Sequence, residues 1–370
     1  MLTYAILRLV LSVPTLLIIA LAIFLLLKLA PGDPLASQPL TIPPEVREKM
    51  REAMGLNGPW YEQFWKWLVQ MFWIEPQVLI DLIFGTEISW QWSPLLADVP
   101  QSWIDENLAA GVIRETADGS LEIYERKQRI MSWETRSPVM DIIAQRIPQT
   151  LWVVGMAYVV GILIALPIGI YSAYRQYSIF DQSGTFITMI GFSIPPFFTG
   201  PLMIVIFAVQ LDWLPSVYNT VHNVVDWDSF VVQLRQMVLP VMVLALQTTA
   251  QISRYMRASM LDNLNQDYVR TARAKGLSEA VVVGIHVLRN SMIPVITVIA
   301  LNVPSIFGGA IITEVVFKVN GIGQLLIGAL FASDIPMVMT LTFIFAFLIV
   351  MFNLIADLLY GILDPRIRYD

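Results

Sequence analysis

The densest group of side chains that can form ion pairs lies in the segment Asp267–Pro294, which carries three arginines, one lysine and one histidine. Guanidinium and ammonium groups donate hydrogen bonds to carboxylates, phosphates and carbonyl oxygens. They bind such groups, but they do not carry out a reaction by themselves. The chemistry indicated is therefore recognition, either of a protein surface or of acidic lipid headgroups at a membrane.

No set of residues typical of an enzyme accompanies this segment. The sequence has no cysteine and no GxxxxGK[ST] loop, which excludes thiol chemistry and ATP binding of that type. His222 and His286 fall on opposite sides of the membrane in the topology derived below, so they cannot share a site. Glu314 and Asp357 are candidates because carboxylates within a membrane are often functional. Both lie near the ends of apolar stretches, where a solvated or Arg-paired carboxylate is the plainer interpretation.

Two short helices, 266–275 and 278–288, are predicted to position the basic side chains. Gly276 is suited to close the first helix, because glycine adopts the left-handed conformation common at helix ends. Ser278 is suited to cap the second helix. A helix–turn–helix of this kind presents its charges to the solvent.

The composition indicates an integral membrane protein. Of the 370 residues, 56% are hydrophobic and only 14% are charged, with a mean hydropathy of +0.65. Soluble proteins carry about 25% charged residues. The acidic residues concentrate in residues 33–146, which hold 17 Asp and Glu against 10 Lys and Arg. Nothing in this charge pattern indicates nucleic acid binding.

Six apolar stretches each reach the roughly 20 residues needed to cross a bilayer. They are 9–30, 147–171, 186–211, 237–256, 291–313 and 337–360. Prolines interrupt most of them: Pro167, Pro195, Pro196, Pro201, Pro240 and Pro304. Broken helices persist in lipid only where neighbouring helices or a water-filled path satisfy the freed backbone groups. The pattern therefore favours a transporter-like bundle of six transmembrane helices.

The long polar block between the first and second spans is predicted to fold outside the membrane. Trp60–Trp73 mixes aromatic and charged residues at helical spacing, which suits either the headgroup layer or packing on other protein. Ser102 with Asp105 resembles a capping box. Asp118-Gly119, between alternating apolar and polar residues, predicts a hairpin. We divide the chain into helix 1 (1–32), an extracytoplasmic subdomain (33–140) and a five-helix core (141–370).

The basic residues of the short loops predict an orientation with both termini in the cytoplasm. In that topology the cytoplasmic segments are 1–8, 172–185, 257–290 and 361–370. They contain Arg8, Arg175, Arg257, Arg270, Arg273, Lys275, Arg289, Arg366 and Arg368. The short outer loops contain only Arg235 and Lys318.

Several motifs in this order resemble one family. The segments Tyr268–Leu277 (YVRTARAKGL), His286–Asn290 (HVLRN) and Pro294 resemble the EAA loop of ABC-importer permeases, in its oligopeptide, dipeptide and nickel form. Further matching segments are ILRLVLSVPTLL with LAPGDP, Arg146–Leu151 (RIPQTL), Gly191–Gly200 (GFSIPPFFTG), Trp213–Pro215 (WLP) and Asp357–Tyr369 (DLLYGILDPRIRY). The N-terminal pattern is similar to the "B"-type subunit of these systems.

The resemblance implies an all-α membrane protein with the six-helix bundle of a type I ABC-importer permease. It implies a non-enzymatic transport subunit in the cell (inner, cytoplasmic) membrane, which pairs with a homologous "C"-type permease. Two ABC ATPase subunits bind ATP and Mg²⁺, so this chain needs no cofactor or metal of its own. An extracytoplasmic substrate-binding protein delivers di- or oligopeptides, and the ATPases drive alternating access through the EAA loop.

The residues expected to contact the ATPases are those of the EAA motif. They are Tyr268, Arg270, Thr271, Ala272, Arg273, Ala274, Lys275, Gly276, Leu277, His286, Arg289 and Asn290. In this interpretation Ala272 and Ala274 allow a close approach. Ser193, Gln247 and Asn302 are polar residues within spans that either line the translocation path or hydrogen-bond between helices.

The chain also departs from the family pattern. Val319-Asn320 stands where an aromatic residue and a proline usually precede Gly321, and Ser216–Tyr218 replaces a Gly-containing turn. The outer block is longer than is typical, and roughly residues 92–136 are interpreted as an insertion where a binding protein would dock.

Alternative functions remain open at this stage. The same machinery serves nickel chelates, glutathione or oligosaccharides in similar systems. A secondary transporter or channel without an ATPase is a further possibility, and so is a membrane-anchored receptor. A charge relay or inverted repeat would favour a secondary transporter, and neither is evident in the sequence.

Overall fold

The computed structural model describes residues 2–29, 43–53, 57–94, 100, 104, 107–108, 112–115, 120–308 and 310–363. The elements, in chain order, are α1 (Leu2–Leu29), α2 (Pro44–Ala53), α3 (Trp60–Phe84), β1 (Trp90–Pro94), β2 (Ile113–Glu115), β3 (Leu121–Arg126), α4 (Val139–Tyr174), α5 (Ile179–Ser193), α6 (Pro196–Gln210), α7 (Trp227–Leu264), α8 (Asp267–Ala274), α9 (Glu279–Val281, Val282–Val287 and Leu288–Gly308), α10 (Ile311–Phe317), α11 (Ile322–Phe331) and α12 (Ile335–Leu363). The predicted turn at Asp118-Gly119, the predicted cap at Ser102 and the terminal arginines Arg366 and Arg368 lie outside the described residues.

The chain forms two compact units. The first, the membrane unit, comprises Met1–Leu26, Ile143–Phe331 and Leu341–Asp370. The second, the outer unit, comprises Leu27–Ile142 together with Ala332–Thr340. The short segment 332–340 contributes to the outer unit although it lies almost two hundred residues further along the chain, which local sequence patterns do not reveal.

Within the described residues, six helices are long and apolar enough to cross a membrane. They are Ile6–Leu29, Trp60–Phe84, Val139–Tyr174, Trp227–Leu264, Glu279–Pro304 and Ile335–Leu359. Two bent helix pairs also pass the test, which brings the number of possible spans in these residues to as many as eight. The six straight helices equal the predicted number of spans, but they are not the same set. Trp60–Phe84 is longer than the aromatic helix predicted at Trp60–Trp73, and it is long and apolar enough to count among the six. The predicted span 186–211 is replaced by two helices.

The predicted span 186–211 corresponds to two helices, because two of the prolines expected to interrupt it, Pro195 and Pro196, break the helix between them. α5 and α6 meet at an angle of 105°. A residue that precedes proline is pushed from the helical to the extended region. Ile194 precedes Pro195 and has ψ of 120°, and Pro195 precedes Pro196 and has ψ of 147°. The chain is therefore extended for two residues and restarts as a helix in a new direction.

A second sharp bend lies beyond the predicted span 291–313. α9 ends at Gly308, so the span prediction continued past the end of the helix. α10 and α11 follow, bent by 90° relative to each other. Two short helices at a right angle form a broken or re-entrant element, which in lipid requires that the ends of both helices find hydrogen-bond partners within the protein.

Glycines allow α4 and α7 to approach closely in the membrane unit. A Cβ atom on Gly161 would lie 2.7 Å from Cβ of Thr248, and one on Gly169 would lie 2.7 Å from the carbonyl oxygen of Ser253. Small residues at helix interfaces compensate in membranes for the missing hydrophobic driving force. α7 therefore forms the central contact surface of the unit, and half of its apolar window is buried.

The outer unit contains a three-stranded antiparallel sheet in the order β1-β3-β2. Ile113 pairs with Ile123 and Glu115 pairs with Leu121, so the predicted hairpin is confirmed on both sides of its turn. β1 pairs with the other edge of β3, with Trp92 opposite Tyr124. The central strand is thus β3, and residues 85–94 lead from the end of α3 to it.

A buried ion-pair cluster joins α3 to the segment that follows the sheet. Nη2 of Arg129 lies 2.8 Å from Oε2 of Glu75, and Nη1 lies 2.9 Å from Oδ2 of Asp141. Burial alone would lower the pKa of Arg129, but its hydrogen bonds to both carboxylates raise it above its ordinary value. Asp141 is half-exposed, but Arg129 and Glu75 are both buried, so the loss of either would leave the other buried without compensation.

Asp334 fixes two segments of the outer unit at once. Its carboxylate accepts hydrogen bonds from the hydroxyl of Ser132 and from the backbone N–H of Trp133, 3.1 Å away. It also accepts a hydrogen bond from the N–H of Met337, at 3.3 Å, and so caps the start of α12. The loop that follows the sheet is thereby attached to the beginning of the last helix.

Candidate functional site: the basic loop

The basic loop, residues 266–290, is anchored by apolar residues on one face. Val269 and Ala272 of α8 are buried, as are Val282 and Val287 of α9. They share one hydrophobic cluster with residues of α4, α7 and α9: Ala165, Ala173, Ile252, Met256, Met260 and Val295. α8 is therefore packed against α7 and α9, the helices on both sides of it.

The other face of α8 is exposed. The outward-facing residues are Arg270, Thr271, Arg273, Ala274, Lys275, Gly276 and Leu277. Ala272 is buried against its own chain, so the expectation that it allows a partner to approach does not fit its position. Ala274 does face outward. The exposed surface thus combines three cations with small residues and one leucine, a composition suited to a protein partner.

Gly276 makes the turn between α8 and α9. Its φ of +76° lies in the left-handed region, which glycine adopts without steric cost. Its N–H donates to the carbonyl of Arg273 at 2.9 Å, and the N–H of Leu277 donates to the carbonyl of Ala272 at 3.3 Å. These bonds satisfy carbonyl groups left free at the helix end. The predicted turn at Gly276 is confirmed, and its contact with an ATPase stays a prediction.

The second helix of the loop differs from its prediction. Ser278 occupies the N-cap position with extended backbone angles, but its side chain makes no capping hydrogen bond. The helix does not end at 288. It passes through the π-helical turn Val282–Val287 and continues into the membrane-spanning part of α9. A π turn widens the helix and shifts its register, and such turns are frequent at functional sites. Because α9 is continuous from Glu279 to Gly308, no break in the helix separates the basic loop from the membrane-spanning part of α9.

The charged residues of the loop differ in their availability. Nε of Arg273 lies 2.7 Å from Oε1 of Glu279, and this hydrogen bond raises the pKa of Arg273 above its ordinary value. Arg270 makes only a loose pair with Asp267, at 3.5 Å between two strongly exposed side chains. Lys275 and Arg289 are exposed and form no ion pair with any residue that the structure describes. Arg270, Lys275 and Arg289 are therefore the cations best placed to meet a partner.

The remaining polar residues of the loop stabilise its shape. The hydroxyl of Tyr268 donates to Oδ1 of Asn263 at 2.6 Å and ties α8 to the end of α7. Nδ2 of Asn290 donates to the carbonyl of His286 at 3.2 Å, one turn earlier in α9. His286 is half-buried. In the described residues no three His, Asp or Glu side chains are grouped to hold a metal ion.

The three predicted path residues do not form one recognisable site. Ser193 is exposed at the end of α5, directly before the 105° bend. Gln247 is half-buried in α7. Nδ2 of Asn302 donates to the carbonyl of Val298 within α9, at 2.8 Å. Their role in the translocation path stays a prediction.

Two polar contacts of the membrane unit were missed from the sequence. Asp181 of α5 forms a two-pronged ion pair with Arg257 of α7, at 2.8 and 2.9 Å. The pattern Ser178-x-x-Asp181 is a helix-start signal that could have identified α5. Glu314 is buried and accepts a hydrogen bond from Thr150, so the interpretation of Glu314 as solvated or Arg-paired is wrong. For Asp357 that interpretation is confirmed by its pair with Arg8, at 2.7 Å.

Two family models match the sequence. One, described as "Binding-protein-dependent transport system inner membrane component", matches residues 165–369. The other describes the N-terminal part of such a membrane component and matches residues 1–78. The first range includes the whole basic loop, the bend between α5 and α6, and α10 to α12. The sheet of the outer unit lies between the two matched ranges.

Curated relatives match over their whole length. An oligopeptide transport system permease protein, AppB, of Bacillus subtilis (strain 168) is 36% identical over 100% of both chains. A putative peptide permease protein of Brucella suis biovar 1 is 34% identical over 100% of this chain and 99% of its own. A glutathione transport system permease protein, GsiC, of Escherichia coli O6:H1 is 32% identical over 100% of both chains.

Proposed function

Because the chain belongs to the family of binding-protein-dependent transport system inner membrane components, we propose that it is a permease subunit of an ATP-driven peptide importer. The observation that carries this proposal is the basic loop. Its α8 is clamped to α7 and α9 by buried apolar residues, while its cationic face is free to bind a partner. This arrangement suits a mechanical contact that an ATPase on another chain moves.

The energy source lies on partner chains in this proposal. Two ABC ATPase subunits bind ATP and Mg²⁺, and one of them grips the basic loop of this chain. A homologous "C"-type permease pairs with this "B"-type chain and offers its own loop to the second ATPase. Closure of the ATPase dimer displaces α8, and α7 and α9 transmit this motion to the path between the permeases. This chain itself catalyses no reaction.

The proposed site of action is the cytoplasmic (inner) membrane, with both termini and the basic loop in the cytoplasm. The positive charge of the short loops supports this orientation. The outer unit then faces the compartment in which a substrate-binding protein captures its ligand. Labelling a single cysteine at Arg270 from either side of the membrane tests the orientation, because the natural chain has no cysteine to interfere.

Peptides are the substrate class we propose. Two of the relatives that match over full length are named as peptide or oligopeptide permeases. Glutathione is the second candidate, supported by the relative named for glutathione transport at 32% identity. Nickel chelates and oligosaccharides remain alternatives with less support. Mass spectrometry of the ligand carried by the purified binding protein distinguishes these classes.

Reconstitution tests the proposal as a whole. The chain is co-expressed with the other subunits of its transport system, and the complex is placed in vesicles with the binding protein and a labelled peptide. We expect uptake that requires ATP and the binding protein. Co-purification of no ATPase, or uptake that persists without ATP, would contradict the proposal and favour a secondary transporter or channel.

The aromatic face of the sheet is the surface of the outer unit best suited to bind the binding protein. The ring of Tyr124 stacks on Trp90 with centroids 5.4 Å apart, and it lies tilted against the ring of Trp92 at 5.1 Å. The guanidinium of Arg114 lies 4.3 Å above the ring of Trp92. Tyr, Trp and Arg dominate the energetics of protein interfaces. The segment previously interpreted as an insertion thus carries a preformed aromatic surface.

Trp92→Ala is expected to weaken capture by the binding protein about tenfold or more, since truncation of an interface hot spot costs about 2 kcal/mol and about 1.4 kcal/mol is tenfold. Affinity is measured with the purified complex, and ATPase co-purification should be unchanged. Trp65→Ala is the matched control, because Trp65 is an exposed tryptophan of the same unit that lies on α3. Equal affinities for the wild type and Trp92→Ala would remove this surface from consideration.

Deletion of about 92–136 is a less specific test than the point variant. Such a deletion also removes Arg129 and so leaves Glu75 buried without its cation. It removes Ser132 as well, which bonds to Asp334. We expect the deletion to destabilise the outer unit in addition to its effect on capture, whereas Trp92→Ala leaves these buried contacts in place.

A further inference from the structure

The start of α11 is capped by side chains from two other helices. The first N–H groups of a helix have no partner within it. In α11 the N–H of Ile322 donates to Oγ1 of Thr150 at 2.8 Å, and the N–H of Gln324 donates to Oε2 of Glu314 at 2.9 Å. Thr150 belongs to α4, and Glu314 belongs to α10. Backbone N–H groups at the start of α11 are thus satisfied by one side chain from α4 and one from α10.

The two capping side chains also bind each other. Oγ1 of Thr150 donates to Oε1 of Glu314 at 2.9 Å, so its single oxygen accepts from α11 and donates to α10. Thr150 is fully buried and Glu314 is 1% exposed. The three helices are therefore joined through a closed chain of hydrogen bonds that water does not reach.

Glu314 has no cationic partner in the part of the chain that the structure describes. A buried carboxylate without a cation is costly, and acids within membranes are rarely kept without a role. Here backbone N–H groups and the positive end of the α11 dipole take the place of a cation. A neutral side chain would meet the packing requirement at lower cost, so the carboxylate has a task beyond filling space.

Glycines make room for this carboxylate. A Cβ atom on Gly321 would collide with Oε1 of Glu314 and would lie 2.5 Å from Oγ1 of Thr150. A Cβ atom on Gly323 would lie 3.0 Å from Oε2 of Glu314 and 2.9 Å from the Cα of Ile311. The Gly321-x-Gly323 spacing thus follows from the close approach of Glu314 to the α11 backbone.

We propose that Glu314 and Thr150 are positioning residues for transport, a clamp that makes α10 and α11 move as one body with α4. This inference rests on the proposed function, since it assigns the clamp a place in alternating access. The bent pair α10–α11 is short and would otherwise be free to tilt at its bend. While these hydrogen bonds are formed, α11 moves together with α4 whenever α4 is displaced.

The clamp is tested in vesicles that contain the reconstituted transporter. Peptide uptake and ATP hydrolysis are both measured and divided by the amount of assembled transporter. Thr150→Val replaces the hydroxyl by a methyl group of similar size, and Glu314→Gln keeps the shape but removes the charge. We expect each to lower uptake about tenfold while ATP hydrolysis changes by less than about twofold, so more ATP is spent per peptide. The double variant should be no worse than the more severe single variant, because both remove one clamp.

Two controls accompany these variants. Thr150→Ser retains the hydroxyl and should transport as the wild type does. Thr188→Val makes the same change at another buried threonine, whose hydroxyl donates to the carbonyl of Thr185 on its own helix, and it should also be active.

Every outcome other than the expected one contradicts either the clamp or the proposed function as a permease. An unchanged ratio of ATP to peptide in both Thr150→Val and Glu314→Gln would overturn the clamp. Failure of both variants to assemble while Thr188→Val assembles would assign Thr150 and Glu314 to folding, which also overturns it. If the wild-type complex shows no ATP-dependent uptake, the proposed function fails. An active wild type with fully active variants disproves only the clamp.

Discussion

A Gly276→Asp variant is expected to insert and assemble normally yet to lose nearly all ATP-driven uptake. Aspartate at φ of +76° carries a backbone cost of about 1 kcal/mol. It also places bulk and negative charge on the exposed surface that we propose as the ATPase contact, where loss of an interface hot spot costs about 2 kcal/mol. Together these effects predict a decrease of roughly a hundredfold in uptake per complex, measured in reconstituted vesicles.

At Gly276 a substitution can affect contact with a partner without disturbing the packing of the chain itself. A Cβ atom on Gly276 would meet nothing within 4 Å, so the new side chain clashes with no part of its own chain. Gly85 is a matched control, because it has φ of +66°, is equally open and lies in the outer unit. Gly85→Asp carries the same strain and charge, and we expect it to leave ATP-driven uptake nearly unchanged.

The contrast between the two glycine variants decides the assignment of the basic loop. Normal uptake by Gly276→Asp would show that no partner approaches this surface. Equal losses in Gly276→Asp and Gly85→Asp would trace the defect to backbone strain. Reduced ATPase co-purification in Gly276→Asp alone would contradict the expected normal assembly and would place the defect at ATPase binding rather than at coupling.

The basic loop was predictable because its determinants are local. Gly276 marks a turn through its own conformational freedom, and Val269 and Ala272 of α8 are three residues apart, the spacing of one buried helix face. The hairpin was predictable for the same reason, since alternation along 113–126 indicates two strands around a turn. These features depend on residues within about one helical turn or one strand of each other, a distance over which sequence patterns are informative.

The bend between α5 and α6 shows where local information was present but underused. Pro195 and Pro196 were recognised as interruptions, and the backbone restriction before each proline is enough to end a helix. The apolar run across them nonetheless suggested one span. Hydropathy reports which residues avoid water and is unaffected by a change of direction, so length and composition could not distinguish a straight helix from two helices at 105°.

The buried polar contacts could not be predicted, because their partners are far apart in the chain. Thr150 and Glu314 are separated by 164 residues, and Asp181 and Arg257 by 76. A single sequence contains no signal that pairs them. The same holds for Asp334 and Ser132, separated by 202 residues. Only the tertiary packing within each unit brings such groups together.

The Asp181–Arg257 pair connects α7, the helix that leads into the basic loop, to α5 of the bent helices, and Arg257→Ala is expected to break that connection. Arg257 lies two turns before the end of α7, directly before the basic loop. Asp181 lies in the first turn of α5, with its side chain 4% exposed. Removal of Arg257 leaves this carboxylate buried without its cation, at a cost on the order of 3 kcal/mol. We expect a lower unfolding temperature of the purified complex and little uptake.

Stability and transmission of movement are distinguished by removing both charges. In Asp181→Asn combined with Arg257→Met no buried charge is left without a partner, so much of the lost stability should return. Uptake should stay low if the ion pair carries movement from α7 to α5, because the new side chains do not hold the two helices together. Arg257→Lys keeps the charge but not the two-pronged geometry, and should be intermediate in both measurements. If uptake recovers together with stability in the double variant, the ion pair serves folding and not the transmission of movement. The bent helices would then have to receive their movement through the apolar contacts of α4 and α7.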